Sequence, residues 1–392
     1  MKASNLNICV QVKCVSFCSS NFNSNTFPGK KKNENVDKTE KVNKKENKFV
    51  NKNETYEYEL KKLVGNVFIG KVLNVEDCCS VDDLKGKKVI GIFTLRSKIK
   101  DDKIIIPYHD IIKYPDNNLN DDYSVCATLR SLYESYICLN TINYTNKLDY
   151  IAIFSYNIFH VLPLLNFLLM KKFFILIFLP KENEYNNHNS HNNHSNDNNS
   201  SNDNNDNNNK IGNDDIQANI NNMLKKFHIN NELIKNRISI INIDMTFGNN
   251  IEHVHNLTNK LGIKTIVVYP NLNIDITILK KYIFTICGFN AKLIFSHYFD
   301  YLSPNECILL HEKGITIEFF NINNYIYYDY FKIADAFNYV LLSILNKDIQ
   351  IPSVTINKSY FSNLKELFSC TYSNKCYSIF INKNVDSSLD NL

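Results

Sequence analysis

The stretch YIAIFSYNIFHVLPLLNFLLMKKFFILIFLP, Tyr150–Pro180, decides the fold. It is apolar enough to raise the idea of a membrane span, which needs about 20 predominantly apolar residues. Between Lys147 and Lys171, however, the run carries Asp149, His160, Pro163 and Asn166, and the Lys171–Lys172 pair then splits it from FFILIFLP. Each piece has the length of a buried helix or strand. The expected reading is a strand at YIAIFS, a helix over IFHVLPLLNFLLMKK, a strand at FFILIFLP, and no membrane span. The stretch also holds no glycine, and none occurs anywhere between Gly91 and Gly212.

The same alternation continues downstream. IQANINNMLKKFHI reads as a helix, ISIINID as a strand, NIEHVHNLTNKLGI as a helix and KTIVVYP as a strand. ITILKKYI is then a helix, with FTICGF and AKLIFS as strands. Alternating strands and helices imply right-handed crossovers and a parallel sheet covered on both faces. Upstream of residue 145 the signals are mostly strand: ICVQVKCV, VFIGKVLNV, KKVIGIFTL and KIIIPYHDIIKY. Two low-complexity segments, near residues 24–57 and 181–215, hold too few apolar residues to bury anything and are expected to be disordered inserts. His188, His191 and His194 lie three residues apart in the second, where Asn-rich composition accounts for them better than a metal site.

The 392 residues allow about two domains. A net charge of +4, with much of the lysine confined to Lys30–Lys52, does not make a nucleic-acid face. The eleven cysteines are odd in number and form no repeated C-x-x-C pair, and MKASNLNICVQVKCV lacks a secretory apolar run. They read as reduced thiols of a cytoplasmic protein, with no structural zinc.

The order of elements and several motifs resemble the medium-chain dehydrogenase/reductase superfamily, and within it the quinone oxidoreductase-like, zeta-crystallin-like proteins. ICVQVKCVSFCSSNFN is similar to the family's early V-x-V-x-x-x-x-x-C-x-S-D strand. LVGNVFIGKVLNVEDCCSVDDLKGKKVIGI is similar to G-x-E-x-x-G-x-V-x-x-V…G-D-x-V-x-G through Gly65, Gly70, Val72, Val75, Gly86, Val89 and Gly91. SVCATLRSLYESYICLNTI resembles the A-A…T-A-Y-x-x-L linker helix, and FKIADAFNYVLLSILNKDIQIP the closing helix. The family's opening hairpin has no counterpart before Asn5. The resemblance implies an α/β chain: a GroES-like β-barrel domain over 5–143, a Rossmann-type doubly wound parallel-sheet domain over 144–305, and a C-terminal return to the first domain over 306–382. It also implies a homodimer through the Rossmann sheet edge, with AKLIFSHYF as the pairing segment. In the closing helix Phe331, Ala334, Phe337, Leu341 and Ile344 recur at helical spacing.

At the chemistry-bearing positions the sequence departs from the family. Cys18 stands where the first catalytic zinc ligand is held, but Gly65, Asn66 and Val67 stand in place of G-H-E, so no metal is expected. The cofactor turn reads FSYNIFHV. Glycine is needed there for a tight turn, for close approach of backbone to pyrophosphate, and for packing helix on strand. Ser155, Asn157 and His160 occupy those positions, with Tyr156 and Phe159 adding bulk. Ser155 or Asn157 is suited to capping the helix, and that helix start could hold an anion weakly. The second strand ends at FLPK, where Lys181 replaces the acidic residue that reads a ribose hydroxyl, and Lys264 replaces an Asp in LGIKTIVVYPN. The degenerate cofactor positions are thus Ser155, Asn157, His160 and Lys181, and no catalytic residue is assigned. Two readings stay open. One is a scaffold with lost or weakened NAD(P)H binding, no cofactor expected, working with protein partners as a binding or assembly subunit. The other is an active NADPH-dependent quinone or enone oxidoreductase.

Overall fold

The structure is a computed structural model. It describes residues 6–17, 63–75, 82–115, 121–142, 149–155, 158–171, 173–180, 237–243, 248–269, 275–296, 301–349, 351, 356–369 and 377–385. The chain divides into two compact units, Met1–Cys138 with Asn321–Leu392, and Leu139–Phe320. The two inserts and the helix expected at IQANINNMLKKFHI lie outside the described residues.

The first unit is built on an eight-stranded β-sheet. Its strands are β1 (Asn7–Phe17), β2 (Val67–Val75), β3 (Lys88–Ile92), β4 (Lys98–Lys100), β5 (Lys103–Pro107) and β6 (Ile111–Lys113), followed far along the chain by β13 (Ile356–Phe361) and β14 (Tyr377–Asn382). The order is β13-β14-β1-β2-β3-β6, with the β4–β5 hairpin joined to β1. One edge of β1 serves two partners: Asn7–Gln11 pairs β5 and Cys14–Phe17 pairs β14. The alternating sequence of β1 explains its fit, because Ile8, Val10, Val12 and Cys14 all reach one buried face. Gly70 of β2 faces β1 so closely that a β-carbon there would lie 2.4 Å from the Gln11 carbonyl oxygen. The expected single strand KIIIPYHDIIKY is divided, because Pro107 leads into a one-turn 3-10 helix at Tyr108–Asp110.

Helix α1 (Asp122–Thr141) links the units in sequence. The second unit then alternates. Its strands are β7 (Tyr150–Phe154), β8 (Phe174–Pro180), β9 (Ile238–Ile243), β10 (Ile263–Val268), β11 (Cys287–Phe295) and β12 (Thr316–Phe319). Its helices are α2 (Ile158–Met170), α3 (Gly248–Leu257), α4 (Ile276–Ile286) and α5 (Pro304–Lys313). The opening stretch is therefore strand, helix and strand, and among the described residues no helix is long and apolar enough to cross a membrane. All six strands are parallel, in the order β12-β11-β10-β7-β8-β9. That is the doubly wound dinucleotide-fold order, with the direction of winding reversing between β7 and β10. One face of the sheet packs Phe154, Phe178, Ile241, Val268 and Phe295 against α3, α4 and α5. Right-handed crossovers send α2 to the other face.

Three expectations are corrected. The parallel sheet does not end at 305: α5 and β12 extend it, so the second unit runs to Phe320 and the return begins at Asn321. AKLIFSHYF is not at the sheet edge, because β11 is hydrogen-bonded to β10 on one side and β12 on the other. Phe284–Ile286, expected to begin a strand, complete the last turn of α4. Its apolar residues pack Tyr282, Ile283 and Ile286 into the core, and helical spacing wins over local β preference.

In the first unit, α6 (Ile322–Tyr328) and α7 (Tyr330–Leu345) follow the return. The buried face of α7 is Ile333, Ala336, Phe337, Val340, Leu341 and Ile344, whereas Phe331 is 83% exposed.

Candidate functional site

Two places bear on chemistry, one in each unit. In the second unit it is the carboxyl end of β7, beside the winding reversal where open α/β sheets hold ligands. Phe154 ends the strand, and its ring stacks on Phe178 of β8, with centroids 4.3 Å apart and planes 2° from parallel. The two are register partners on adjacent parallel strands, so their side chains leave the same face. Tyr282 of α4 meets both rings edge-on, 5.9 and 6.0 Å away. All three are buried.

Ser155 follows directly and is fully buried. Its amide donates to the Phe178 carbonyl at 3.1 Å, which extends the β7–β8 ladder by one bond. That donor is spent inside the sheet and is not offered to an anion. Asn157 and Lys181 lie outside the described residues. Of His160 the backbone alone is described, as the third residue of α2. The four predicted positions are therefore not brought together as a described site. Lys264, which the resemblance sets against an Asp, donates to the Phe289 carbonyl at 2.6 Å and serves the sheet.

In the first unit the residues in place of G-H-E have a definite environment. Gly65 has φ +84°, and a β-carbon there would lie 2.5 Å from Ile326 Cδ1 and 3.5 Å from the Arg130 guanidinium carbon. Its carbonyl accepts from the Tyr133 hydroxyl at 2.6 Å. Asn66, 2% exposed, accepts through Oδ1 from Arg130 Nη1 at 2.5 Å. Arg130 Nε in turn donates to Glu134 Oε1 at 2.8 Å, one turn along α1. Burial pushes the Glu134 carboxyl up, and the Arg130 charge offsets part of that rise. The position that the resemblance sets against a zinc ligand does not fit a divalent ion, because Asn66 already turns its oxygen to a fixed cation. Cys18 lies outside the described residues, and among the described residues no three His, Cys, Asp or Glu side chains gather as metal ligands.

Sequence reasoning missed Arg130. The signal was present, since Arg130 and Glu134, at i, i+4, are the only charged residues of the linker helix after Asp122. A second polar group ties the start of α7 to the sheet. Asp110 accepts from Thr94 Oγ1 at 3.0 Å and Arg96 Nη2 at 2.8 Å. Burial, reinforced by the Asp110 charge, raises the Tyr330 phenol and keeps it a donor to that carboxylate.

Comparison with solved structures returns one architecture. The chain superposes on a Bacillus thuringiensis protein described as an NADPH:quinone reductase, with TM-score 0.54 and 11% identity, covering 96% of this chain and 90% of that one. CurK enoyl reductase gives TM-score 0.55 at 8% identity, over 96% of this chain and 91% of that one. The 2-haloacrylate reductase gives TM-score 0.51 at 11% identity, with the same coverage of 96% and 91%. The fold is the one these reductase structures share, a mainly antiparallel-sheet unit together with a parallel-sheet unit. In fold the first unit is GroES-like and the second Rossmann-type. No family model matches the sequence, and no curated protein does.

Proposed function

We propose that this chain is a quinone oxidoreductase-like scaffold with lost or weakened NAD(P)H binding, working as a binding or assembly subunit. The observation that carries the reading is the connection from β7 to α2. It has no glycine, and its first amide, at Ser155, is taken by the Phe178 carbonyl. A pyrophosphate needs close backbone approach and free amides at that place. The Asn66–Arg130–Glu134 chain supports the reading from the other unit, since three polar side chains there are committed to one another. A cytoplasmic setting goes with it, supported by the free thiols Cys9, Cys14, Cys126, Cys138, Cys287 and Cys307. So do protein partners. A homodimer through the Rossmann sheet would have to use β12, since β11 is flanked on both sides.

The second reading is an active NADPH-dependent quinone or enone oxidoreductase. What favours it is the likeness over nearly the whole chain to the NADPH:quinone reductase and enoyl reductase structures. In that case the cofactor supplies the hydride and the protein positions it. Titration of the purified chain with NADPH and NADH, read by calorimetry and thermal shift, separates the two. Micromolar binding at hundredfold excess adds about 2.7 kcal/mol of stability. The expected result is no shift at millimolar cofactor, which would sink the reductase reading, and a shift of that size would sink the reading of a degenerate site.

A further inference from the structure

Helix α7 carries two faces. One is the buried face that anchors it in the first unit, running through Ile333, Phe337, Val340 and Ile344. The opposite side bears Phe331, Asp335, Asn338, Leu342 and Leu345, at spacings of four, three, four and three residues. That is the spacing of a seam made for another helix. Its apolar members are not sheltered: Phe331 is 83% exposed and Leu342 56% exposed. Asp335 and Asn338 are exposed as well, and Leu345 is half-buried.

We propose that this outer face of α7 pairs with the same face of a second copy of the chain, antiparallel, about a two-fold axis between Ala336 and Phe337. The order of residues along the seam selects that occupant. In the antiparallel arrangement Phe331 of each copy meets Leu342 of the other, and Asp335 meets Asn338. An amide is then set against a carboxylate at the two central positions, where it donates a charge-assisted hydrogen bond. A parallel pair would instead oppose Asp335 to its own copy and leave like charges facing each other. The stripe is thus self-complementary in one direction only, as an isologous interface must be. A polar pair in the middle of an apolar seam also fixes register. This association uses the first unit and needs no sheet edge.

The test is sedimentation velocity of the full chain across a series of concentrations. The unmodified chain should show a monomer–dimer equilibrium. Phe331→Glu should be monomeric at every concentration, and so should Leu342→Lys, because each sets a charge against an apolar partner. The double variant should dimerise again, since each Glu at 331 then meets a Lys at 342 of the other copy. Because Phe331 and Leu342 are exposed, the variants should keep the unmodified circular dichroism spectrum and melting temperature. An unmodified chain that stays monomeric throughout would sink the proposal. So would dimers that survive Phe331→Glu, or failure of the double variant to recover. Loss of dimer on Ile317→Pro in β12, with Phe331→Glu still dimeric, would assign association to the sheet edge instead.

Discussion

Replacing Arg130 with methionine should cost the first unit about 3–5 kcal/mol, because it leaves Glu134 as an uncompensated carboxylate in a fully buried place. The loss has a pH signature whose sign is fixed. Burial already holds the folded carboxyl of Glu134 above its ordinary value, with Arg130 pulling it partly back. Without Arg130 the folded value climbs further. A carboxyl raised in the folded state favours folding while it is protonated, so that contribution is complete below the unfolded value of about 4.3. It is lost as pH rises through the folded value. The deficit of Arg130→Met in urea denaturation should therefore be smallest in acid and grow toward neutral pH. Adding Glu134→Gln should flatten the dependence. Arg130→Met with Glu134→Leu should recover most of the stability, since an apolar pair of similar bulk can replace a buried ion pair. A deficit under about 1 kcal/mol, or one unchanged by pH, would mean that the pair is not what holds Asn66 and Gly65 in place.

This pair also shows what a sequence discloses and what it withholds. The parallel domain was legible because FFILIFLP and KTIVVYP are continuous apolar runs with helical spacing between them, the mark of strands buried on both faces. The boundary near Phe320 was not legible. TIEF is four residues long and half-exposed, so its membership of the sheet depends on a neighbour, β11, that only the fold supplies. The buried face of α7 was not legible from the recurrence of Phe331 at helical spacing, for a related reason. Large aromatic residues stand at helical spacing on both of its sides, and hydropathy alone cannot say which side meets the core. At the candidate sites the departures from the family that the sequence resembles were plain in the letters: Asn66 where that family holds a histidine, and no glycine after β7. What occupies the space instead was hidden. Arg130 lies 64 residues from Asn66, and the partnership depends on how α1 lies against the turn before β2.

The second large effect is expected at the end of β7. Phe154→Ala should destabilise the second unit by about 3–5 kcal/mol, the range for removing a fully buried aromatic ring. Phe178→Ala should cost as much, since the two rings share one stack and one edge-on neighbour, Tyr282. The pair of substitutions should cost less than the two separate losses together. Each single variant already removes the stacking interaction, which contributes about 0.5–1.5 kcal/mol beyond buried area, and the second removal cannot lose it again. A thermodynamic cycle over the four proteins measures that coupling directly. Strict additivity would show that the parallel rings do not interact beyond their burial. The outcome also bears on function. If the aromatic cluster is a packed terminus of the sheet, neither truncation should create a response to NADPH, because the Ser155 amide stays bonded to the Phe178 carbonyl and no glycine follows β7 to allow close approach, and removing bulk changes neither. A truncated variant that gains cofactor binding would show instead that side-chain volume at Phe154 was the obstacle, and that the scaffold had kept its phosphate site behind it.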